Sequence, residues 1–209
     1  MLFAHGAPAD LAPLLPEIAD VPVLYLSVRR EVADLLRAKG YETPAEKRMW
    51  RMVADPARCV PPAHTAVRMG PADYEALLSL HRDGDAAGEA PPFFDAGMLR
   101  HGVYYGIRED GAIVAAAGTH VLAERERVAG IGNVYTRRDR RGRGLGAQVS
   151  GAVTAELLRL GVRTVVLNVG ESNAAAMRLY QRLGFECYCA YREGIAICGG
   201  ARASTSMPF

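Results

Sequence analysis

Val128-Ala-Gly-Ile-Gly-Asn-Val-Tyr-Thr-Arg-Arg-Asp-Arg-Arg-Gly-Arg-Gly-Leu-Gly-Ala147 runs from a β-branched stretch into an Arg- and Gly-rich turn and then into a helical pattern. Val134 and Thr136 share one side of a period-2 alternation, so the segment reads as a strand ending near Thr136. Beyond the turn, Leu145, Val149, Val153, Leu157 and Leu160 recur at helical spacing. Gly142, Gly144 and Gly146 let the backbone turn tightly and approach an anion, because no Cβ stands in the way. The first N–H groups of a helix have no acceptor within it, and the helix dipole favours negative charge there. Main-chain amides between Arg141 and Ala147, Leu145 among them, are therefore placed to meet a diphosphate, with Arg141 and Arg143 adding charge-assisted hydrogen bonds.

Other readings of this stretch are weighed on the same residues. Of the 25 basic residues only Lys39 and Lys47 are lysine, and such an Arg bias makes a merely solvated basic loop a competing reading. A dinucleotide loop needs G-x-G-x-x-G and an acidic residue at the end of the next strand. Here the glycines are spaced G-x-G-x-G and the next strand, Thr164–Val169, carries Asn168 near its end. A nucleoside-triphosphate loop needs Gly-Lys-Ser/Thr, and the turn holds no lysine.

The segment Arg141-x-x-Gly144-x-Gly146 after a strand resembles the acyl-CoA signature of the GNAT acyltransferase superfamily, Gln/Arg-x-x-Gly-x-Gly/Ala. A second block strengthens the resemblance: strand Thr164–Val169 precedes Asn173, Ala176, Tyr180, Gly184 and Phe185, similar to that family's Asn-x-x-Ala-x-x-x-Tyr-x-x-x-Gly-Phe helix. Read without the family, Ser172 stands where an N-cap is expected and Gly184 where a left-handed cap would end the helix. Tyr180 then shares a face with Ala176 and Leu183, as an ordinary core tyrosine would. The clear resemblance runs from Thr65 to Tyr191. It implies an α/β fold with a mixed sheet and a splayed central strand. It also implies acetyl-CoA as co-substrate, bound by Val134, Tyr135, Thr136, Arg141, Gly142, Arg143, Gly144, Leu145, Gly146, Ala147, Asn168, Asn173, Ala176 and Tyr180.

Two parts are expected. Residues 63–209 carry the family's domain in order: a short strand over Thr65–Met69, a helix over Pro71–His81, a loop over Asp83–Gly97 and a hairpin turning at Glu109-Asp-Gly111. The strand, helix, strand and helix of the two blocks follow, with a last strand near Cys187–Tyr191. Gly130 and Gly132 within a strand predict a bulge or a close backbone approach. Residues 1–60 read as a strand over Val21–Val28, a helix over Arg29–Lys39 stopped by Gly40, and a strand over Lys47–Val53. Gly40-Tyr41 echoes Gly184-Phe185, which suggests a degenerate half of the same fold, similar to the glycine N-acyltransferase-like subgroup; an unrelated α/β extension is the alternative. Asp55–Pro62 reads as the linker.

The resemblance implies acyl transfer from a thioester to a primary amine in a ternary complex. An alkylammonium holds its proton to about pH 10, so some group must accept a proton before attack. Tyr180 matches the family's general acid, which would reprotonate the departing thiolate. The family's usual strand glutamate has no counterpart in Val128-Ala-Gly-Ile-Gly-Asn133. His120 on the neighbouring strand is the candidate base, with a hydrogen-bonded structural histidine as its other reading. Glu89 is a further candidate, and Asn133 can only orient water or substrate. Pro91-Pro-Phe-Phe94 reads either as an apolar wall or as core closure.

Composition sets outer bounds. The chain has 209 residues, half of them hydrophobic, and a formal net charge of +2. Basic clustering is local and has no aromatic platform beside it, so a nucleic-acid partner is not expected. Cys59, Cys187, Cys189 and Cys198 lack zinc spacing, so no metal is expected and reduced thiols fit best. No stretch approaches the roughly 18 apolar residues of a membrane span, and a cytoplasmic protein, monomer or homodimer, is the expectation. A non-catalytic acyl-CoA-binding regulatory domain and a nucleic-acid-binding module using Arg137, Arg138, Arg140, Arg141 and Arg143 against phosphates are the other function classes that these residues allow.

Overall fold

The computed structural model describes residues 2–4, 9, 12–18, 21–59, 63, 65–85, 88–91 and 93–198. Its strands are β1 (Leu2–Ala4), β2 (Val23–Arg29), β3 (Tyr41–Glu42), β4 (Lys47–Ala54), β5 (Val67–Arg68), β6 (Tyr104–Glu109), β7 (Ala112–Ala123), β8 (Val128–Thr136), β9 (Thr164–Gly170) and β10 (Phe185–Cys198). The helices are α1 (Arg30–Ala38), α2 (Tyr74–Arg82), α3 (Ala96–His101), α4 (Leu145–Arg159) and α5 (Ala174–Arg182). The fold is mixed α/β, as the sequence predicts. The chain forms two compact units that interleave along it: Met52–Val169 with Asn173–Cys187, and the described residues of Met1–Arg51, Gly170–Ser172 and Tyr188–Phe209.

In the unit that holds the N-terminal segments, the alternation of β2 buries Leu24, Leu26 and Val28, and α1 buries Val32, Ala33 and Leu36 against them. Each fully buried Leu or Val adds about 1.5–3 kcal/mol relative to exposure. Helix α1 ends where Gly40 adopts φ +91, so that its N–H can reach the Arg37 carbonyl at 2.9 Å. Strand β1 pairs parallel to β2, and Tyr191–Ile197 of β10 pairs antiparallel to β2. The last strand is therefore longer than the expected Cys187–Tyr191. Sequence patterning hides this because Arg192-Glu193-Gly194 breaks the apolar run. Arg192 nonetheless lies buried, with its charge balanced by Glu46 at 2.9 Å and Glu171 at 3.6 Å.

In the other unit the sheet order is β9-β8-β7-β6-β5. Strands β8 and β9 run parallel, joined by the α4 crossover, and the remaining neighbours are antiparallel. Helix α4 packs on β6, β7 and β8 through Leu145, Val149, Val153 and Leu157. A separate cluster joins Leu77 and Leu80 of α2 and Leu99 of α3 to Tyr104, Ile113 and Tyr135. Helix α3 falls inside a stretch whose first part reads as loop; its six residues are too few for a helical period, and the Asp95 side chain caps it through the Gly97 N–H at 2.6 Å. The segment Asp55–Cys59, expected as linker, is a turn docked on the helix end after α5: the Asp55 N–H donates to the Gly184 carbonyl at 3.0 Å, and Arg58 pairs with Glu186. Val60, Pro61 and Pro62 lie outside the described residues. Among the described residues, no helix is long and apolar enough to cross a membrane.

Candidate active site

Strand β8 organises the site. Its parallel ladder with β9 runs from Val128–Thr164 to Ile131–Leu167 and stops there. Among the described residues, the β8 backbone from Gly132 to Thr136 continues beside β7 alone, which is the splayed strand that the family resemblance implies. Two bulges sit at the point of divergence. Tyr135 pairs with Ala116 and Gly132 with Gly118, so β8 carries an extra residue there; Ile131 pairs with Thr119 and Gly130 with Val121, so β7 carries one at His120. Asn133 takes φ +50 to accommodate the first. Val134 and Thr136 are half-buried on one side of β8, while the Tyr135 ring is buried on the other. The side chain of Tyr135 thus belongs to the core, and its phenol donates to Asp83 at 2.9 Å.

The turn after β8 forms the second wall. Gly142 and Gly144 have φ of +77 and +76, and the space where a Cβ would stand is open at both. Two left-handed residues in such a turn aim successive N–H groups into one concavity that suits an anion. Gly144 starts α4 and its carbonyl accepts from Ala147 and Gln148, so the N–H groups of Leu145 and Gly146 precede the helix's own bonds. The arginines are already engaged. Arg141 holds Glu89 at 2.5 Å and the Thr136 carbonyl at 3.2 Å, and Arg143 holds Glu109 through two contacts of 2.9 Å. The cradle is therefore chiefly main chain, and these guanidiniums act from its rim. Glu89 serves as an ion-pair partner, and the Arg141 hydrogen bond holds its carboxyl below the usual range.

Gly146 lets α4 approach α5: a Cβ there would stand 3.3 Å from Leu179 and 3.5 Å from the Thr136 hydroxyl. Tyr180, the next residue on α5, is thereby brought to the same end of α4 as the glycine turn. Burial pushes its phenol up to about 12, with Ser150 of α4 beside it. Ser150 Oγ is itself buried and has no hydrogen-bond partner among the described residues. The cap of α5 differs from the expected Ser172: Asn173 supplies it, its Oδ1 accepting from the Ala176 N–H at 3.0 Å. Both expected ligand residues Asn173 and Ala176 thus take part in helix initiation. Asn168 is half-buried on β9, one residue beyond the last β8 pair.

On the other flank, His120 is exposed and its ring lies over Gly132, where a Cβ would come within 2.4 Å of both nitrogens. Gly132 is thus a close-approach glycine. His120 Nε2 lies 2.7 Å from Asn133 Oδ1, and Asn133 Nδ2 donates to the Tyr104 phenol at 2.9 Å. Sequence reading passes over Tyr104, which looks like any strand aromatic. Its one signal is Gly118, whose missing side chain leaves room for the Tyr104 ring, 2.1 Å from where a Cβ would stand.

Phe94 closes the core, its ring 5.4 Å from Tyr74 and 4.9 Å from His81; Phe93 is exposed, and Pro92 lies outside the described residues. His81, a second residue that the sequence does not flag, is buried, and neither ring nitrogen has a partner among the described residues. Burial lowers its pKa from 6.5 to about 4. The unfolded chain thus binds the proton more readily below pH 6.5, so His81 favours the fold above that pH and loses its contribution as pH falls toward 4. We expect a loss of up to about 3 kcal/mol across this window. Urea unfolding of wild type and His81→Leu at stepped pH checks it, since the variant lacks that component.

Residues 74–185 match the acetyltransferase (GNAT) family, more than half of the chain, so the chain belongs to that family. Over 54 residues it is 41% identical to an L-methionine sulfoximine/L-methionine sulfone acetyltransferase of Pseudomonas aeruginosa; the match covers 26% of this chain and 31% of that protein. The chain thus spans about a third of the length of the curated relatives it matches. Among solved structures, a GNAT-family acetyltransferase from Novosphingobium aromaticivorans is 29% identical, with TM-score 0.64, over 76% of this chain and 68% of that one. A GCN5-related N-acetyltransferase from Kribbella flavida shares the fold at 23% identity and TM-score 0.66, over 93% of this chain and 77% of that one. Among the described residues no group of three or more His, Cys, Asp or Glu could hold a metal ion.

Proposed function

We propose that this protein transfers an acetyl group from acetyl-CoA to a primary amine by direct attack. The observation that carries the reading is the end of the β8–β9 ladder at Ile131–Leu167 beside the left-handed Gly142 and Gly144. A strand edge with unmatched amides suits the amide-bearing arm of coenzyme A, and the adjoining cradle suits its diphosphate. The thioester supplies the acyl group when bound. Main-chain N–H groups of β8 beyond Gly132 would stabilise charge on its carbonyl oxygen.

His120 accepts the proton that the attacking ammonium must lose, and the C–N bond then forms as the C–S bond breaks. Tyr180 gives its proton to sulfur, and the second proton that the nitrogen sheds as the amide forms restores the phenol. Its raised pKa keeps the phenol protonated at neutral pH. The thiolate that it serves would be formed in the same low-dielectric surroundings, where desolvation raises a thiol's pKa too. An amino acid is the first acceptor class to test, because the curated relatives acetylate L-methionine sulfoximine and L-methionine sulfone.

The N-terminal segments fit a degenerate half of the same fold, related to the glycine N-acyltransferase-like subgroup. Strand β2 leads into the nine-residue α1, then Gly40 at φ +91 and a buried Tyr41; β9 leads to the nine-residue α5, then Gly184 at φ +90 and a buried Phe185.

Calorimetric titration with coenzyme A should give a saturable isotherm. Thiol release from acetyl-CoA should then rise over background with at least one member of an amine panel that includes amino acids and L-methionine sulfone. Binding without release across the whole panel would favour the regulatory reading. No binding at millimolar coenzyme A would overturn both.

A further inference from the structure

We infer that Tyr104 and Asn133 are positioning residues that fix His120 as the Nε2–H tautomer, leaving Nδ1 as the atom that takes the proton from the amine. This rests on the role of His120 proposed above and goes beyond it, because it assigns the two residues behind the base and the nitrogen that acts.

The direction of every proton in the chain follows from its far end. The Thr119 carbonyl can only accept, and the Tyr104 hydroxyl donates to it at 3.2 Å. Having one hydrogen, Tyr104 meets Asn133 with an oxygen lone pair, so the group facing it at 2.9 Å must be the Nδ2 amide. The Met98 sulfur on α3 imposes the same choice. It is acceptor-only and lies 3.5 Å from Asn133 Nδ2 and 3.3 Å from the Tyr104 hydroxyl, where a carbonyl oxygen of Asn133 would face lone pairs. Asn133 Oδ1 is therefore the atom turned to His120, and at 2.7 Å it requires a hydrogen on Nε2. The neutral imidazole then has its lone pair on Nδ1.

The chain is built into the fold. Asn133 and Tyr104 are buried, Asn133 is held at φ +50 by the β8 bulge, and His120 occupies the β7 bulge opposite. The Tyr104 ring fits over Gly118 and the His120 ring over Gly132. Tyr104 is the one other titratable group in the hydrogen-bond relay from His120 to the Thr119 carbonyl, and burial raises its pKa, so it stays a neutral phenol. The group that meets His120 Nε2 is a neutral amide oxygen.

The step is balanced within the chain. The ammonium N–H bond breaks, a hydrogen bonds to Nδ1, and His120 becomes a cation with Nε2–H still given to Asn133.

Nitrogen-15 NMR of the histidine side chains, with His120 assigned by His120→Gln, reports the tautomer in the free protein without any need for turnover. Wild type should show Nε2–H. Tyr104→Phe keeps the ring over Gly118 but removes the anchor. It should mix the tautomers and lower kcat roughly tenfold to a hundredfold, with KM for acetyl-CoA little changed, as for other residues that orient a functional imidazole. Asn133→Asp, close in shape, places a carboxylate on Nε2. It should move the acidic limb of the pH–rate profile up by about one unit or more, because the imidazolium is favoured. An Nδ1–H tautomer in wild type, or Tyr104→Phe with unchanged tautomer and rate, overturns the inference. Full turnover by His120→Gln refutes the base itself, whereas an inactive His120→Gln beside a wild-type Nδ1–H signal refutes only the chain behind it.

Discussion

Tyr180→Phe should lower kcat by roughly a hundredfold or more, the usual contribution of a positioned general acid, while coenzyme A affinity stays within about threefold. The substitution deletes one oxygen from a ring that is packed against Phe185 at 6.0 Å and buried by the start of α4. Since the hydroxyl is desolvated and the neighbouring Ser150 completes no hydrogen bond, losing it should cost the fold no more than about 1 kcal/mol. The prediction is thus a split: catalysis falls, and binding and melting temperature hold. Stopped-flow thiol release and calorimetry on the same preparation measure both sides. If Tyr180→Phe turns over at the wild-type rate, another group protonates sulfur. If it loses coenzyme A in proportion to rate, Tyr180 is a binding residue.

The elements that the sequence reveals best are those whose one-dimensional pattern and three-dimensional role coincide. Strand β8 and the start of α4 fall where the alternation and the helical spacing put them: β8 alternates buried and half-buried positions, and Leu145, Val149, Val153 and Leu157 all lie in the core. The glycine turn is equally legible, since only glycine takes two left-handed residues two apart without penalty, and the Gly142 and Gly144 torsions bear that out. What stays hidden depends on partners distant in sequence. Tyr104 reads as core until Gly118, Asn133 and the Thr119 carbonyl are seen around it. His81 shows nothing in sequence to distinguish it from a surface residue at the end of α2, yet it is buried between aromatic rings. The end of β10 is obscured by Arg192, whose burial depends on Glu46 and Glu171. Sequence places the cap of α5 one residue early because Ser172 and Asn173 are both good caps, and only the Asn173 geometry shows which one closes on Ala176.

Gly144→Asp should reduce coenzyme A affinity by at least about a hundredfold while leaving the fold nearly as stable as wild type, and the two effects have opposite causes. At the start of a helix an aspartate is among the preferred residues. Its carboxylate accepts from the first-turn N–H groups and sits at the positive end of the dipole. Aspartate also tolerates a left-handed backbone better than most side chains, and the space beyond the Gly144 Cα is open, so the φ of +76 costs at most about 1–2 kcal/mol. The interactions that repay this cost are the ones the ligand needs. The new carboxylate would take the Leu145 and Gly146 N–H groups and put a negative charge where a diphosphate must lie. The rim arginines could not offset it, because Arg141 is held by Glu89 and Arg143 by Glu109. Gly144→Ala separates charge from shape. It bears a similar backbone penalty without the carboxylate, so it should weaken binding by only about the tenfold that 1–2 kcal/mol of distortion corresponds to. The ordering wild type, then alanine, then aspartate in calorimetric affinity, with the melting temperature lowered by about a few degrees for alanine and nearly unchanged for aspartate, is the expected pattern. Equal affinity in all three would mean that the diphosphate lies elsewhere, and the catalytic geometry built around this turn would go with it.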